Sequence, residues 1–231
     1  MTYTYAAIAK MIDHSLLNPS LTDEDMAAGC LLARECDVAS AIVLPHFLPR
    51  AVGLLAGSGV APSTTVGFPH GGHSTATKIA EAREAISSGA RELDMVVNVS
   101  KVRSHDWTYV RQDIAAINDL CHAQGVLLKV IFENAYLTRD EKVRLCEICG
   151  ELGVDWVKTS TGYAPSGATK EDVVLMRQHS PAEVQIKAAG GIRDLDLLLE
   201  YRALGITRLG ASATKAILDE TRKRLAGRLS A

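Results

Sequence analysis

Three charged residues sit in the chain where a globular protein rarely places charge. Lys158 lies in Trp156-Val157-Lys158-Thr159-Ser160-Thr161-Gly162, Lys187 in Gln185-Ile186-Lys187-Ala188-Ala189-Gly190-Gly191, and Asp94 in Glu92-Leu93-Asp94-Met95-Val96-Val97-Asn98. Each interrupts an apolar run of strand character, and lysine is almost never fully buried without a partner. Side chains alternate faces along a strand, so Lys158 shares a face with Trp156 and Lys187 with Gln185. Strands run about 4.8 Å apart, so two inward lysines at similar height bring their amines within several ångströms of each other. An outward or snorkelling lysine is the competing reading at either position alone. Two lysines and an acid on three strands favour a site.

Such a cluster has a chemical use. An amine attacks a carbonyl only when neutral, and an ordinary lysine with pKa about 10.4 costs about 4.6 kcal/mol to deprotonate at pH 7. A second ammonium about 6 Å away disfavours the charged form by about 2.8 kcal/mol at an effective dielectric of about 20. Desolvation adds to this. Paired lysines therefore make one amine nucleophilic, and amine nucleophiles form Schiff bases with carbonyls. Asp94 could keep the second lysine protonated and pass protons to or from the reacting carbon. The spacing leaves open which lysine is the nucleophile.

A second pattern suits an anion. Gly190-Gly191 follows one strand, Gly210-Ala211-Ser212 precedes a helix, and Gly162 follows Lys158. Glycines there let backbone N–H groups converge, a helix N-terminus adds partial positive charge, and Arg193 is a plausible electrostatic helper. Weaker signals surround these. His70-Gly71-Gly72-His73 has no acidic or cysteine ligand nearby and reads as a solvated turn rather than a metal pair. Cys146-Glu147-Ile148-Cys149 falls inside a helix pattern, not at a helix start where thiol pKa drops, so it reads as buried thiols. Asp13-His14 could line a mouth near the first strand.

The elements that must position these residues alternate along the chain. Strands are expected at Met11–Leu16, Ala39–Leu44, Ser63–Gly67, Glu92–Asn98, Leu127–Glu133, Trp156–Ser160, Val184–Ala188 and Thr207–Ala211. Amphipathic stretches lie between them: Thr22 to Glu35, Ala76 to Ser88, Trp107 to Ala123, Arg139 to Leu152, Lys170 to His179, Leu195 to Leu204 and Ala213 to Ala226. Thr22 and Thr138 precede acidic first turns as N-caps, and Gly89, Gly125, Gly153 and Gly205 follow helical runs. Strand–helix alternation implies parallel pairing, in an open doubly wound sheet or a closed barrel. Eight strands favour the (β/α)8 TIM barrel, and no dinucleotide fingerprint or phosphate loop supports the open sheet. No linker divides residues 1–231, which are expected to form a single domain.

Composition narrows the class. With 231 residues, 47% hydrophobic and 23% charged, the chain is neither disordered, collagen-like nor a coiled coil. Twenty-five Lys and Arg against 27 Asp and Glu give no basic patch of nucleic-acid type. No apolar run approaches the roughly 20 residues of a membrane helix. The start Met1-Thr2-Tyr3-Thr4-Tyr5 has no signal-peptide pattern, and five cysteines form no even disulfide set. A cytoplasmic protein acting on a small molecule is expected, with neither nucleic acid nor membrane as partner.

Several segments together resemble those of the deoxyribose-phosphate aldolase family. They are Ile12-Asp13-His14-Ser15-Leu16-Leu17-Asn18-Pro19, Val66-Gly67-Phe68-Pro69-His70-Gly71, Glu92 to Asn98, Val157-Lys158-Thr159-Ser160-Thr161-Gly162 and Lys187-Ala188-Ala189-Gly190-Gly191-Ile192-Arg193. The likeness runs from about Ile12 to Ile217. It implies a class I aldolase on an eight-fold barrel, with no metal or other cofactor, that reversibly cleaves 2-deoxy-D-ribose 5-phosphate to D-glyceraldehyde 3-phosphate and acetaldehyde in carbohydrate degradation. By the same likeness Lys158 forms the Schiff base, Lys187 perturbs it, Asp94 serves the proton relay, and Gly162, Gly190, Gly191, Gly210 and Ser212 lie at the phosphate. A homodimer is the family's implied assembly. Departures are Ile42 and Leu44 where many relatives carry cysteine and asparagine, Ala213 where a second serine is common (with Thr214 as its expected substitute), and an end at Ala231 without a terminal tyrosine. Another lysine aldolase with a different aldehyde pair and a catalytically silent binding barrel are the alternatives, and only the silent barrel predicts a disrupted lysine–aspartate set.

Overall fold

The computed structural model describes residues 3–229, with side chains through Gly227. The extreme ends of the expected 1–231 unit, Met1-Thr2 and Ser230-Ala231, lie outside the described residues. Eight parallel strands close into a barrel in sequence order: β1 (Ile12–Leu16), β2 (Ser40–Val43), β3 (Ala61–Val66), β4 (Glu92–Val96), β5 (Leu127–Ile131), β6 (Trp156–Lys158), β7 (Gln185–Ala189) and β8 (Arg208–Ala211), which returns to β1. Around it run α1 (Tyr5–Ala9), α2 (Asp23–Glu35), α3 (Leu48–Leu55), α4 (Thr75–Ser87), α5 (Val99–Arg103), α6 (Trp107–Ala123), α7 (Arg139–Leu152), α8 (Lys170–His179), α9 (Leu195–Ala203) and α10 (Thr214–Leu229). None of the described helices is long and apolar enough to cross a membrane.

The two-residue period of each strand sorts its side chains between two environments. Leu93 and Met95 of β4, Leu128 and Val130 of β5, Val157 of β6 and Ile186 and Ala188 of β7 join the apolar core packed by the helices. Fully burying one such aliphatic side chain is worth about 1.5–3 kcal/mol. The alternate residues of the same strands, Glu92, Asp94, Lys129, Lys158 and Lys187, form a second, charged set. They too are buried. The apolar core thus lies mainly between barrel and shell, and the barrel's interior mixes these charges with apolar Val96, Ile131, Trp156 and Ala189.

The expected strands are all present, several ending one or two residues sooner. Val97 N still donates to Ile131 O at 3.0 Å and Phe132 N to Lys158 O at 2.9 Å, so the ladder outlasts the regular strand before the chain bends away. Asn98 then caps α5 and Glu133 takes a left-handed conformation, which ends each run. Thr22 and Thr138 form capping boxes with Asp25 and Glu141, each worth about 1 kcal/mol. Helices α1, α3 and α5 carry no expectation from the sequence. Two are five residues long, too short to display a period, and α3 contains Pro49 in its first turn, where proline is tolerated but reads as a breaker.

Candidate active site

Strand register fixes the centre of the barrel. Lys158 stands directly across from Lys187, and Asp94 from Lys129. Asp94 is wholly buried, and its Oδ2 accepts from both Lys158 Nζ and Lys187 Nζ at 2.7 Å, while its Oδ1 accepts from Lys129 Nζ at 2.9 Å. Lys187 also meets Asp13 Oδ2 at 2.5 Å, and Lys129 meets Glu92 Oε2 at 2.6 Å. Arg208 closes the circuit, donating from Nε to Asp13 at 2.8 Å and from its other arm to Glu92, over the face of Trp156.

The charges in this circuit do not cancel. Lys129, Lys158, Lys187 and Arg208 face Asp13, Glu92 and Asp94. The buried carboxyl of Glu133 acts on Lys158 only from beyond ion-pair distance, so within the circuit of direct contacts four cations against three carboxylates leave one surplus proton. The contacts show which cation holds it least well. Lys187, Lys129 and Arg208 each engage at least two carboxylates, whereas Lys158 engages Asp94 alone.

The titration behaviour follows from this geometry. Burial pushes the Lys158 amine down to about 8; Asp94 resists the shift, and Lys187 and Lys129 add to it. Burial therefore outweighs the lysine–lysine repulsion expected from spacing, because Asp94 stands between the two amines. Burial raises the Asp94 and Asp13 carboxyls, but their lysine neighbours overcome it and hold both well below the ordinary carboxylate range. Lys129 is lifted above its ordinary value by Asp94, Glu92 and Asp13 against the opposing effect of burial.

Above the circuit opens a cavity of about 610 Å³ at the carboxyl ends of the strands. Lys158 and Lys187 form its floor, and Gly162, Gly190, Gly191, Arg193, Gly210 and Ser212 all line it. Gly190 has φ 89° and its backbone touches Gly167; a Cβ there would stand 2.7 Å from the Gly167 Cα. Gly191, at φ 85°, faces open space. Asp94 lies beneath the cavity, in contact with both amines but outside its lining.

Three expectations are corrected. Asp13 sits low in β1 as a member of the charge circuit, not at the mouth. His14 is buried beside Thr214, its Nδ1 2.8 Å from the Thr214 Oγ1, and burial lowers its pKa to about 4. Thr214 is therefore turned away from the cavity and does not substitute for a second serine there. The weaker motifs are placed as well. His73 pairs with Glu81 at 3.0 Å, and His70 borders a separate chamber of about 100 Å³ with Glu133 and Tyr163. Cys146 and Cys149 are buried in α7, where desolvation lifts the Cys146 thiol to about 11 and the Cys149 thiol well above its ordinary value.

Sequence reasoning missed Lys129, Glu92 and Arg208, and it missed the mouth residues Thr161 and Tyr163. Lys129 carries the signal that singled out the other two lysines: it interrupts Leu127-Leu128-Lys129-Val130-Ile131. Tyr163 spans the rim, donating from its hydroxyl to Leu17 O at 2.6 Å with its ring edge-on to Phe68.

Comparison with known proteins supplies names for this architecture. A family model described as DeoC/LacD family aldolase matches residues 7–216. A deoxyribose-phosphate aldolase of Rhodopirellula baltica is 58% identical over 96% of this chain and 92% of that protein. One from Caldanaerobacter subterraneus subsp. tengcongensis is 43% identical over 94% of each. Among solved structures, a deoxyribose phosphate aldolase from Aeropyrum pernix, described as tetrameric, superposes with a TM-score of 0.88 at 28% identity, covering 96% of this chain and 93% of that one.

Proposed function

The chain belongs to the DeoC/LacD family of aldolases, and from that membership we propose that it is a deoxyribose-phosphate aldolase whose nucleophile is Lys158. It is a lyase that reversibly cleaves 2-deoxy-D-ribose 5-phosphate to D-glyceraldehyde 3-phosphate and acetaldehyde. The observation that carries the assignment of the nucleophile is the surplus cation. Among the circuit's three buried lysines and half-buried Arg208, Lys158 has the fewest carboxylates and the lowered pKa, so its deprotonation removes the surplus charge and frees an amine at the cavity floor.

The neutral Lys158 amine adds to the substrate aldehyde, and loss of water from the adduct gives a protonated imine. That cation withdraws electrons from the neighbouring carbon–carbon bond. Breaking the bond, with loss of the hydroxyl proton on the carbon being released, frees the phosphorylated aldehyde and leaves an enamine on Lys158. Protonation of the enamine carbon and attack of water then release acetaldehyde. Lys187 stands on the same Asp94 oxygen as Lys158 and is the nearest proton store; Asp94 holds that proton in place and links the two amines. Asp94 is too strongly stabilised as an anion to be the resting proton carrier.

At the other end of the cavity, Gly162, Gly190, Gly191, Gly210, Ser212 and Arg193 take the substrate phosphate. Backbone donors released by the turns, with the guanidinium beside them, suit a dianion. The setting is carbohydrate degradation in the cytoplasm, and the assembly is the homodimer implied by the family likeness.

Reduction with borohydride in the presence of acetaldehyde tests the assignment. Trapping should add the mass of an ethyl group at Lys158, and Lys158→Leu should abolish both trapping and retro-aldol cleavage. Trapping at Lys187 instead would overturn the choice of nucleophile. Normal trapping with negligible cleavage of deoxyribose 5-phosphate would point to another lysine aldolase.

A further inference from the structure

We infer that Glu133 fixes the hydrogen-bond polarity of Thr161, so that the mouth reads a hydroxyl donor on the acceptor aldehyde beside the carbonyl. The inference rests on the aldolase reading above and concerns what the site selects, not how it bonds.

Glu133 follows β5 in a left-handed conformation at φ 59°, which turns its carboxylate inward, and the residue is 3% exposed. One of its oxygens accepts the Thr161 hydroxyl, and the Thr161 backbone N–H donates to the carboxylate at 3.2 Å. The Tyr163 N–H donates in turn to Thr161 Oγ1 at 3.0 Å. A hydroxyl has one proton and two lone pairs. Glu133 takes the proton and Tyr163 one lone pair. A single lone pair remains, on a residue that lines the cavity with Lys158.

Thr161 can therefore only accept from a ligand. A phosphate dianion or an aldehyde oxygen has no proton to give it, whereas a substrate hydroxyl has. D-glyceraldehyde 3-phosphate carries such a hydroxyl next to its carbonyl carbon. An acceptor without it leaves a buried lone pair unmet, and a site built to bond a substrate hydroxyl rejects the analogue lacking one far more strongly than a merely apolar pocket does. Glu133 is thus a positioning residue acting through Thr161.

The test is a ratio of kcat/KM for aldol addition of acetaldehyde to two acceptors, D-glyceraldehyde 3-phosphate and 3-oxopropyl phosphate, which lacks only the hydroxyl. The wild type should prefer the first by about 100-fold or more. In Glu133→Gln the carboxamide donates to Thr161 Oγ1, the threonine proton turns to the cavity, and the ratio should fall below about tenfold. Glu133→Asp, which keeps an acceptor, should restore part of it. Borohydride trapping of acetaldehyde should still fall on Lys158 in these variants, since acetaldehyde has no hydroxyl to read. Should Glu133→Gln not fold, Thr161→Val must lower the ratio equally. A ratio unchanged in both variants, or an equal loss on both acceptors, overturns the inference. Failure of trapping in the wild type would instead overturn the aldolase assignment.

Discussion

Lysine is buried in two regions of this molecule, and the two are balanced differently. In the helical shell, Lys78 of α4 is fully enclosed and donates to Asp113 Oδ2 at 2.6 Å and to Val96 O at 2.8 Å. Asp113 completes its own set by accepting from Thr75 at 2.7 Å. One cation meets one anion, and no proton is in surplus. Inside the barrel, four cations share three carboxylates and Lys158 is served by one. Burial alone does not distinguish a structural lysine from a reactive one. On the proposed assignment of Lys158, the balance of charge around it does.

Lys158→Leu gives the largest effect expected from this contrast. It should lower retro-aldol activity by about four orders of magnitude or more, as loss of a covalent nucleophile does. Yet it should cost little stability, because it removes the surplus charge and leaves three cations on three carboxylates. Urea unfolding of the variant should show a midpoint equal to or above that of the wild type. A large fall in the midpoint would mean that the circuit needs the fourth cation to hold together.

The shell pair should behave in the opposite way. Lys78→Met strands Asp113 and should cost about 3–5 kcal/mol in urea unfolding, with activity per folded molecule within about twofold of wild type. The double variant Lys78→Met, Asp113→Leu should recover most of that loss, since a buried pair is often no better than apolar residues of similar volume. A double variant as unstable as the single one would show that the pair holds the shell by its charge.

Much of this contrast is legible in the sequence, for a physical reason. A lysine within an apolar strand has to resolve its charge somewhere, so Lys158 and Lys187 stand out in runs otherwise made of valine, isoleucine and alanine. The eight-strand alternation is equally plain because the strands are largely buried on both faces and several helices start at a capping residue, as at Thr22 and Thr138. Charge balance is not legible. It depends on Asp13, Glu92 and Arg208, which lie at strand beginnings and look like ordinary flanking polar residues until the barrel closes. Thr161 escaped notice because its place depends on Glu133, 28 positions away. Lys78 looks like a solvated helix residue in Thr75-Ala76-Thr77-Lys78, and only its partner on α6 brings it inside.

The smaller effects are in pH dependence. On the proposed mechanism Lys158 must lose its proton before it attacks, and its pKa is about 8, below the ordinary lysine value of 10.5. With rising pH, kcat/KM should therefore climb about tenfold per unit and level off above about 8, where the free enzyme's amine is already neutral. A rate independent of pH between 6 and 8 (about two units of the climbing limb) would show that Lys158 rests neutral for another reason.

Arg208→Met sharpens the point further, because Arg208 makes no contact with Lys158 yet belongs to the same circuit. Its removal leaves three lysines on three carboxylates, so the circuit is neutral with Lys158 protonated. Asp13 and Glu92, each short of a partner, then pull more strongly on the remaining ammonium groups. The limb of the kcat/KM profile should move to higher pH by about one unit or less, a difference of about 1.4 kcal/mol at most. A limb that stays at its wild-type position would show that burial and Asp94 set Lys158 on their own, and that the distant members of the circuit only hold the barrel together. A limb that moves to lower pH would contradict the charge count itself, because removing a cation from a shared set of anions can only make the remaining protons harder to lose.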